Sequence, residues 1–356
     1  MSLLSARSRP LLATVCLPLV ASAALVALGP VPAPAAAAGP RAVALRVGSF
    51  NVMTVGTDAT SGNRRPWKAR RGAVIREILG EHVDVIGVQE TNPSSWFARR
   101  LVDGPNQFLD LRNGLNKAGG HFRLANASSF NCRNSATTYR CRTVARGATH
   151  SERILYDSRR LSLVKAGSLR YRHQSGHPGT GFMAWARLRS RANGHTFLFT
   201  STHLDPRHRG VRHAQWRQMI SAIRSLRHGR PVISVGDFNT HRMDPMAKDM
   251  LPRMKRAGVG DVLNQTYRAN PVRGVRARHL VNAWVNSYNH FRRSMRSWSY
   301  EDNRRKIGID IDYIFASNYL KVPEFKVVVD YNPRTLRVRR TFPSDHNMLR
   351  ATIRLP

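Results

Sequence analysis

The sequence predicts an α/β sandwich of two β-sheets, and three observations predict it. Residues 83–88 and 231–235 are short, nearly all apolar and rich in β-branched side chains, the pattern of strands buried on both faces. Residues 67–82 and 211–226 carry apolar side chains at helical spacing between such strands. Elsewhere strand-like runs follow one another with no helix between, which favours two sheets over a purely doubly wound parallel one.

In chain order, residues 43–50 alternate and read as the first strand. Val74, Ile75, Ile78 and Leu79 set the period of the first helix, and Pro66 suits its start. The strand at 83–88 follows, then strands at 153–156, 161–169, 183–188 and 196–202. Gln215, Met219, Ile220, Ile223 and Leu226 mark the second helix, and 231–235 is the next buried strand. Runs at 307–316, 325–331 and 348–355 complete the set. Residues 106–149 and 264–306 show little pattern and read as elaborated loops. No repeat or linker divides the chain, so residues 42–356 read as one catalytic domain.

The first 38 residues differ. Arg7 and Arg9 make a basic start, 11–28 is apolar, and a Pro/Ala-rich stretch ends in Ala36-Ala37-Ala38. That is the pattern of a secretory signal peptide, so the expected location is extracellular. An uncleaved anchor is the competing reading, but Pro18 and Gly29 interrupt a run near the lower length limit for spanning. Past the signal only Cys132 and Cys141 remain, and in an oxidising compartment they are expected to pair. The formal charge is +37, with 58 basic against 21 acidic residues. Losing Arg7 and Arg9 leaves +35, a surplus that attracts polyanions. Arg replacing Lys can reflect genome composition, but the scarcity of acids cannot. The expected partner is nucleic acid, met by a monomer without stable membrane insertion.

Chemistry gathers where strands end. Asn51 closes the first strand and Gln89-Glu90 follows the second. His203 ends 196–202, Asp237 and Asn239 follow 231–235, Asp312 lies in 307–316, and Asp345-His346 precedes the last strand. Polar groups at strand ends converge on one edge of a sheet, where ligands bind. Glu90, helped by Asn51, suits a hard divalent cation. Asp237 suits orienting or deprotonating a water, and Asn239 suits donating to a phosphoryl oxygen. His203 and His346 suit neutralising phosphate or protonating a leaving oxygen, with Asp312 holding the tautomer of His346. Taken alone, Asp237-Phe238-Asn239 is an ordinary turn. No His-Glu-x-x-His arrangement occurs, so a zinc protease is not indicated.

Six segments together resemble the endonuclease/exonuclease/phosphatase superfamily in a secreted bacterial, deoxyribonuclease I-like form. They are Ser49-Phe50-Asn51-Val52, Val88-Gln89-Glu90-Thr91, Ser201-Thr202-His203-Leu204, Val235-Gly236-Asp237-Phe238-Asn239, Ile311-Asp312-Tyr313-Ile314-Phe315 and Ser344-Asp345-His346. They stand in the family's order and run across nearly the whole chain past the signal. The resemblance implies a four-layer α/β sandwich, two mixed sheets packed together and flanked by helices. It implies Mg²⁺, with Mn²⁺ or Ca²⁺ as alternatives, near Asn51, Glu90 and Asp345. It also implies a carboxylate behind His203, a part that Glu152 could play. The expected activity is hydrolysis of DNA, or of RNA, with low sequence specificity. The alternative on the same scaffold is a sphingomyelin or phospholipid phosphodiesterase or a phosphomonoesterase. Residues 290–306 interleave Phe291, Trp298 and Tyr300 with arginines. That is either a strand-tracking surface or a solvated loop whose aromatics plug the core.

Overall fold

The computed structural model describes residues 42–55, 62–93, 100–126, 150–175, 181–242, 244–263, 277–295 and 310–356. All of them belong to the unit Pro40–Pro356. The first 38 residues, where a signal peptide is expected, and Cys132, Cys141, Trp298 and Tyr300 lie outside the described residues.

Alternation along the strands builds two sheets. The first has the spatial order β10 (Ala277–Val281), β12 (Lys321–Val327), β15 (Leu349–Leu355), β1 (Val43–Asn51), β2 (Val85–Gln89), β4 (Arg153–Asp157) and β3 (Phe122–Leu124). The second has the order β5 (Leu161–Arg170), β6 (Phe182–Ser190), β7 (Thr196–His203), β8 (Val232–Asp237), β11 (Asp312–Ser317) and β9 (Val259–Asp261). A small hairpin pairs β13 (Tyr331–Asn332) with β14 (Arg337–Val338). Both sheets are mixed: β1 runs parallel to β2 and antiparallel to β15, and β7 runs parallel to β8, which is antiparallel to β11.

Leu45, Val47, Val85 and Ile154 of the first sheet pack with Phe197, Phe199, Ile233, Val235 and Ile314 of the second in one buried core. The intervening residues face outward. Phe50, Ile86, Val88 and Leu155 meet α1 (Trp67–Gly80) and α2 (Gln107–Lys117) through Val74, Ile78, Phe108 and Leu111. Leu198, Val232, Phe238 and Phe315 meet α3 (Arg209–Arg227) and α4 (Pro245–Arg256) through Trp216, Met219, Met250 and Met254. The result is the expected four layers. A Cβ on Gly87 would collide with Val235 and Ser201 of the opposing sheet, so glycine sets how closely the sheets approach beside the polar strand ends.

The structure departs from the sequence reading in four places. The stretch 106–149 holds α2 and β3: Asn106 caps α2 by accepting from Leu109 N–H at 3.0 Å, offsetting the weak helix formers Asn113 and Gly114. The helix α4 escapes the pattern because Pro252 lies inside it, yet Asp244 caps it by accepting from Met246 N–H at 2.7 Å. The short strands β9 and β10 have no counterpart in the sequence reading. Finally, the run 325–331 divides, with β12 ending at Val327 and Tyr331 falling in the small hairpin.

Candidate active site

Along the inner faces, apolar side chains give way to polar ones at one end of the sandwich. After Leu45 and Val47 come Ser49 and Asn51; after Phe197 and Phe199 come Ser201 and His203; Ile233 and Val235 are followed by Asp237. On the antiparallel strand β11 the order reverses, and Asp312 precedes Ile314. Register places these ends side by side: Asn51 opposite Gln89, His203 opposite Asp237, and Asp237 opposite Asp312. Six separate strand-end signals thus become one buried cluster.

Asp237 is its hub. Its Oδ2 lies 3.5 Å from Nε2 of His203 and 3.6 Å from Nε2 of His346, and accepts from Asn51 Nδ2 at 3.1 Å across the two sheets. Its Oδ1 accepts from the backbone N–H of Asn239 at 2.8 Å. Burial, and then the charge of Asp312, push the Asp237 carboxyl above its ordinary value. Nδ1 of His346 lies 2.8 Å from Asp312 Oδ2. Burial disfavours the imidazolium of His346, but the charge and hydrogen bond of Asp312, with Asp237 behind them, raise it to about 10. His203 is also buried, and its Nδ1 has no hydrogen-bond partner among the described residues.

The acidic side of the cluster is Glu90 with Asp345. Asn51 Nδ2 donates to Glu90 Oε1 at 2.9 Å, and Thr54 N–H donates to Glu90 Oε2 at 3.0 Å. Burial pushes Glu90 up, but His203 and these two donors outweigh it and hold the carboxyl below its usual value. Burial pushes Asp345 up against the pull of His346, and the neighbouring Glu90 charge adds to the rise. Glu90 and Asn239 have positive φ, 61° and 48°, strain of the kind concentrated at working sites. The amide of Asn239 donates to Leu204 O at 2.9 Å, which fixes its direction.

Several residues that sequence reasoning missed hold or enter this cluster. Tyr288 bridges His346 through the backbone, and their ring centroids are 4.8 Å apart. Burial, then Asp345, Glu90 and Asp237, push its phenol up to about 12, so it stays a donor beside three acids. Ser287 Oγ accepts from the N–H groups of Ile311 and Asp312 at 3.0 and 3.2 Å. Ser287 N–H donates to Asp310 at 2.9 Å, and Asp310 is in turn paired with Arg242 at 2.6 Å. Arg70 donates to the carbonyls of Met53 at 2.6 Å and Pro343 at 3.0 Å, tying the end of β1 to the Asp345 loop. None of these follows a strand-end signal; Arg242, four residues after Phe238, and Asp310, two before Asp312, carried the only hint.

Glu152 is fully buried at the head of β4 and accepts from Ser151 N–H at 3.2 Å. Burial pushes it up to about 8. It does not hold the tautomer of His203 as Asp312 holds that of His346, since Nδ1 of His203 makes no hydrogen bond among the described residues.

The model of the Endonuclease/Exonuclease/phosphatase family matches residues 48–346. The chain belongs to this family. A search of curated proteins found no match. Among solved structures, a family member from Bacteroides thetaiotaomicron aligns with TM-score 0.60 at 16% identity, covering 89% of this chain and 99% of its own. A mannosyl-6-phosphatase from the same organism aligns with TM-score 0.58 at 17% identity, covering 87% and 99%. The human Nocturnin catalytic domain with bound sulfate aligns with TM-score 0.52 at 17% identity, covering 89% and 99%. At such identities the likeness shows the shared fold.

Family enzymes act on phosphoester bonds and generally depend on a divalent metal, and two groups here could hold one. Ligand atoms of Asp237, Asp312 and His346 lie within 4.8 Å of one another. The hydrogen bond between His346 and Asp312 already satisfies that set internally, and a ring nitrogen suits a softer ion. Glu90 and Asp345 offer carboxylate oxygens and Asn51 an amide oxygen, which here accepts from Met53 N–H at 3.0 Å. Two half-buried carboxylates, one raised by burial and by the charge of the other, call for a cation. This second set fits a hard divalent ion better.

Proposed function

We propose that this chain is an exported, divalent-metal-dependent nuclease that hydrolyses phosphodiester bonds of DNA, with RNA second, at low sequence specificity. The observation that carries the reaction is the convergence of two histidine Nε2 atoms on one buried aspartate oxygen, at 3.5 and 3.6 Å. The raised Asp237 is a base able to orient and deprotonate a water. His346, kept protonated through Asp312, supplies a proton to the departing oxygen or positive charge to the phosphoryl group. His203 offers Nε2 to a phosphoryl oxygen from the other side, and Asn239 is tied to the same aspartate through its N–H. Asn51, Glu90 and Asp345 would hold the metal. When bound, such an ion supplies charge to phosphoryl oxygens.

The formal charge of +37 supports nucleic acid as the substrate, since a strand of phosphates gains most from a positive field. Export rests on the first 38 residues. Among the described residues no helix is long and apolar enough to cross a membrane.

Plasmid nicking with Mg²⁺ and with chelator tests the reaction, beside parallel incubations with RNA, sphingomyelin vesicles and a sugar monophosphate. Nicking that chelator abolishes is expected. Absence of chelator-sensitive nicking across several divalent ions overturns the nuclease reading. Faster turnover of sphingomyelin or of the monoester transfers the substrate to that class.

A further inference from the structure

The site accounts for little of the positive charge, and one concentration of it lies elsewhere. α3 leaves the site end after β7 and finishes before β8, while α4 starts after Asn239 and finishes before β9. Their last turns therefore meet at the opposite end of the second sheet. Between the helices runs a groove of about 340 Å³ lined by Arg217, Ile220, Ser221, Arg224, Arg253 and Arg256. It continues past Arg224 and Arg256 into a hollow of about 580 Å³ that reaches His228 and Gly258.

We propose that this groove is a second, non-catalytic binding site for the phosphate backbone of a nucleic acid strand; the proposal rests on the nuclease reading above. Arginines near helix ends can serve only to complement the helix dipole, and Arg227 does so by donating to Ala257 O at 2.8 Å. Arg217, Arg224 and Arg256 are different. They are exposed, and none has an ion pair or hydrogen bond among the described residues. The helix α3 has no acidic residue along its 19 positions, and Asp249 is the one acid of α4 that meets the arginines, paired with Arg253 at 2.8 Å. Guanidinium groups match phosphate in a two-pronged geometry. An exposed aromatic stands at the same corner: Tyr319, 58% exposed, follows Asn318, whose N–H donates to Gly258 O and whose amide donates to Lys255 O. A row of exposed guanidinium groups is the makings of a surface that tracks a phosphate backbone, and the exposed ring adds a face for a base where the strand is unpaired.

The geometry adds a length requirement. A 19-residue helix is about 28 Å long, so one duplex reaching both site and groove needs about 8 base pairs or more. The test is binding, read by fluorescence anisotropy on the full chain carrying Asp237→Asn to prevent cleavage. Duplexes of about 30 and about 6 base pairs are compared before and after Arg224→Glu with Arg256→Glu. Affinity for the long duplex is expected to fall about tenfold or more, with a salt slope shallower by about two; the short duplex should be nearly unaffected. With Asp237 restored, the same pair of changes should leave hydrolysis of bis-p-nitrophenyl phosphate unchanged. Arg224→Gln with Arg256→Gln, which only removes charge, should act in the same direction, with circular dichroism verifying the fold. Unchanged affinity for the long duplex, equal losses for both lengths, or no duplex binding by the parent overturns the proposal. Phosphatidylglycerol vesicles run in parallel separate a lipid surface from a nucleic acid, and a loss confined to the vesicles also overturns the proposal. Groove-dependent binding of the long duplex, together with no nicking by the chain with Asp237 restored, would sink the nuclease reading and leave the groove standing.

Discussion

The two histidines meet the same oxygen of Asp237 at nearly the same distance, but the regions that hold them differ. His346 sits on the loop before β15, and its Nδ1 is 2.8 Å from Asp312, which is itself steadied by Ser287. His203 ends β7; strand register opposite Asp237 places it, and its Nδ1 meets no hydrogen-bond partner among the described residues. One histidine is backed by a carboxylate behind its ring, while the other is placed by strand register.

The largest effect is expected where the two regions meet. Asp237→Asn removes the negative charge that both histidines face, at 3.5 and 3.6 Å, and the basicity assigned to the attacking water. Nicking should fall about a thousandfold or more while circular dichroism keeps the wild-type spectrum. A loss of less than tenfold would mean that the two histidines work through a group other than Asp237.

Asp312→Asn separates the two regions. A loss of about a hundredfold is expected, together with a change in pH profile that His203→Ala should not produce. The sign follows from His346, which the Asp312 charge raises to about 10. Without that charge the imidazolium loses its proton at lower pH, so the alkaline limb of kcat/KM moves down. Combining Asp312→Asn with His346→Ala should add little to the worse single change, since the two act as a unit.

Which parts of this were legible in the sequence follows from the same physics. His203, Asp237 and Asp312 were readable because each extends the period-two inner face of a buried strand to its end, and a polar residue there has few other uses. The four layers were readable for the same reason. Ser287, Tyr288 and Arg242 were not: they act from segments without periodicity, and their roles exist only once the chain folds back on β11 and the Asp345 loop. The helix α2 was hidden by Asn113 and Gly114, and α4 by Pro252; packing of Phe108, Met250 and Met254 overrides those weak local preferences.

Tyr288 sharpens the picture of the His346 side. Its phenol is pushed up to about 12 and remains protonated next to Asp345 and Glu90. Tyr288→Phe keeps the ring against His346 but deletes the donor. About a tenfold loss is expected, carried by kcat with KM nearly unchanged. A change in KM alone would make Tyr288 a substrate contact outside the reacting centre.

The smallest effect on activity is expected from Glu152→Gln, on the His203 side. Because Nδ1 of His203 makes no hydrogen bond among the described residues, Glu152 should contribute less than about threefold to turnover, against about a hundredfold for Asp312. A loss comparable with that of Asp312→Asn would put a carboxylate behind both histidines and erase the asymmetry. Stability should respond instead. Burial raises Glu152 from 4.5 to about 8. As pH rises above about 4.5 the unfolded chain releases this proton before the folded one does, so the contribution of Glu152 to stability falls until the folded carboxyl also ionises near 8. The amide that Glu152→Gln introduces cannot ionise, so the substitution removes that slope. The variant should match wild type near pH 4 and exceed its Tm by about a few degrees near pH 8, a difference thermal melts at the two values resolve.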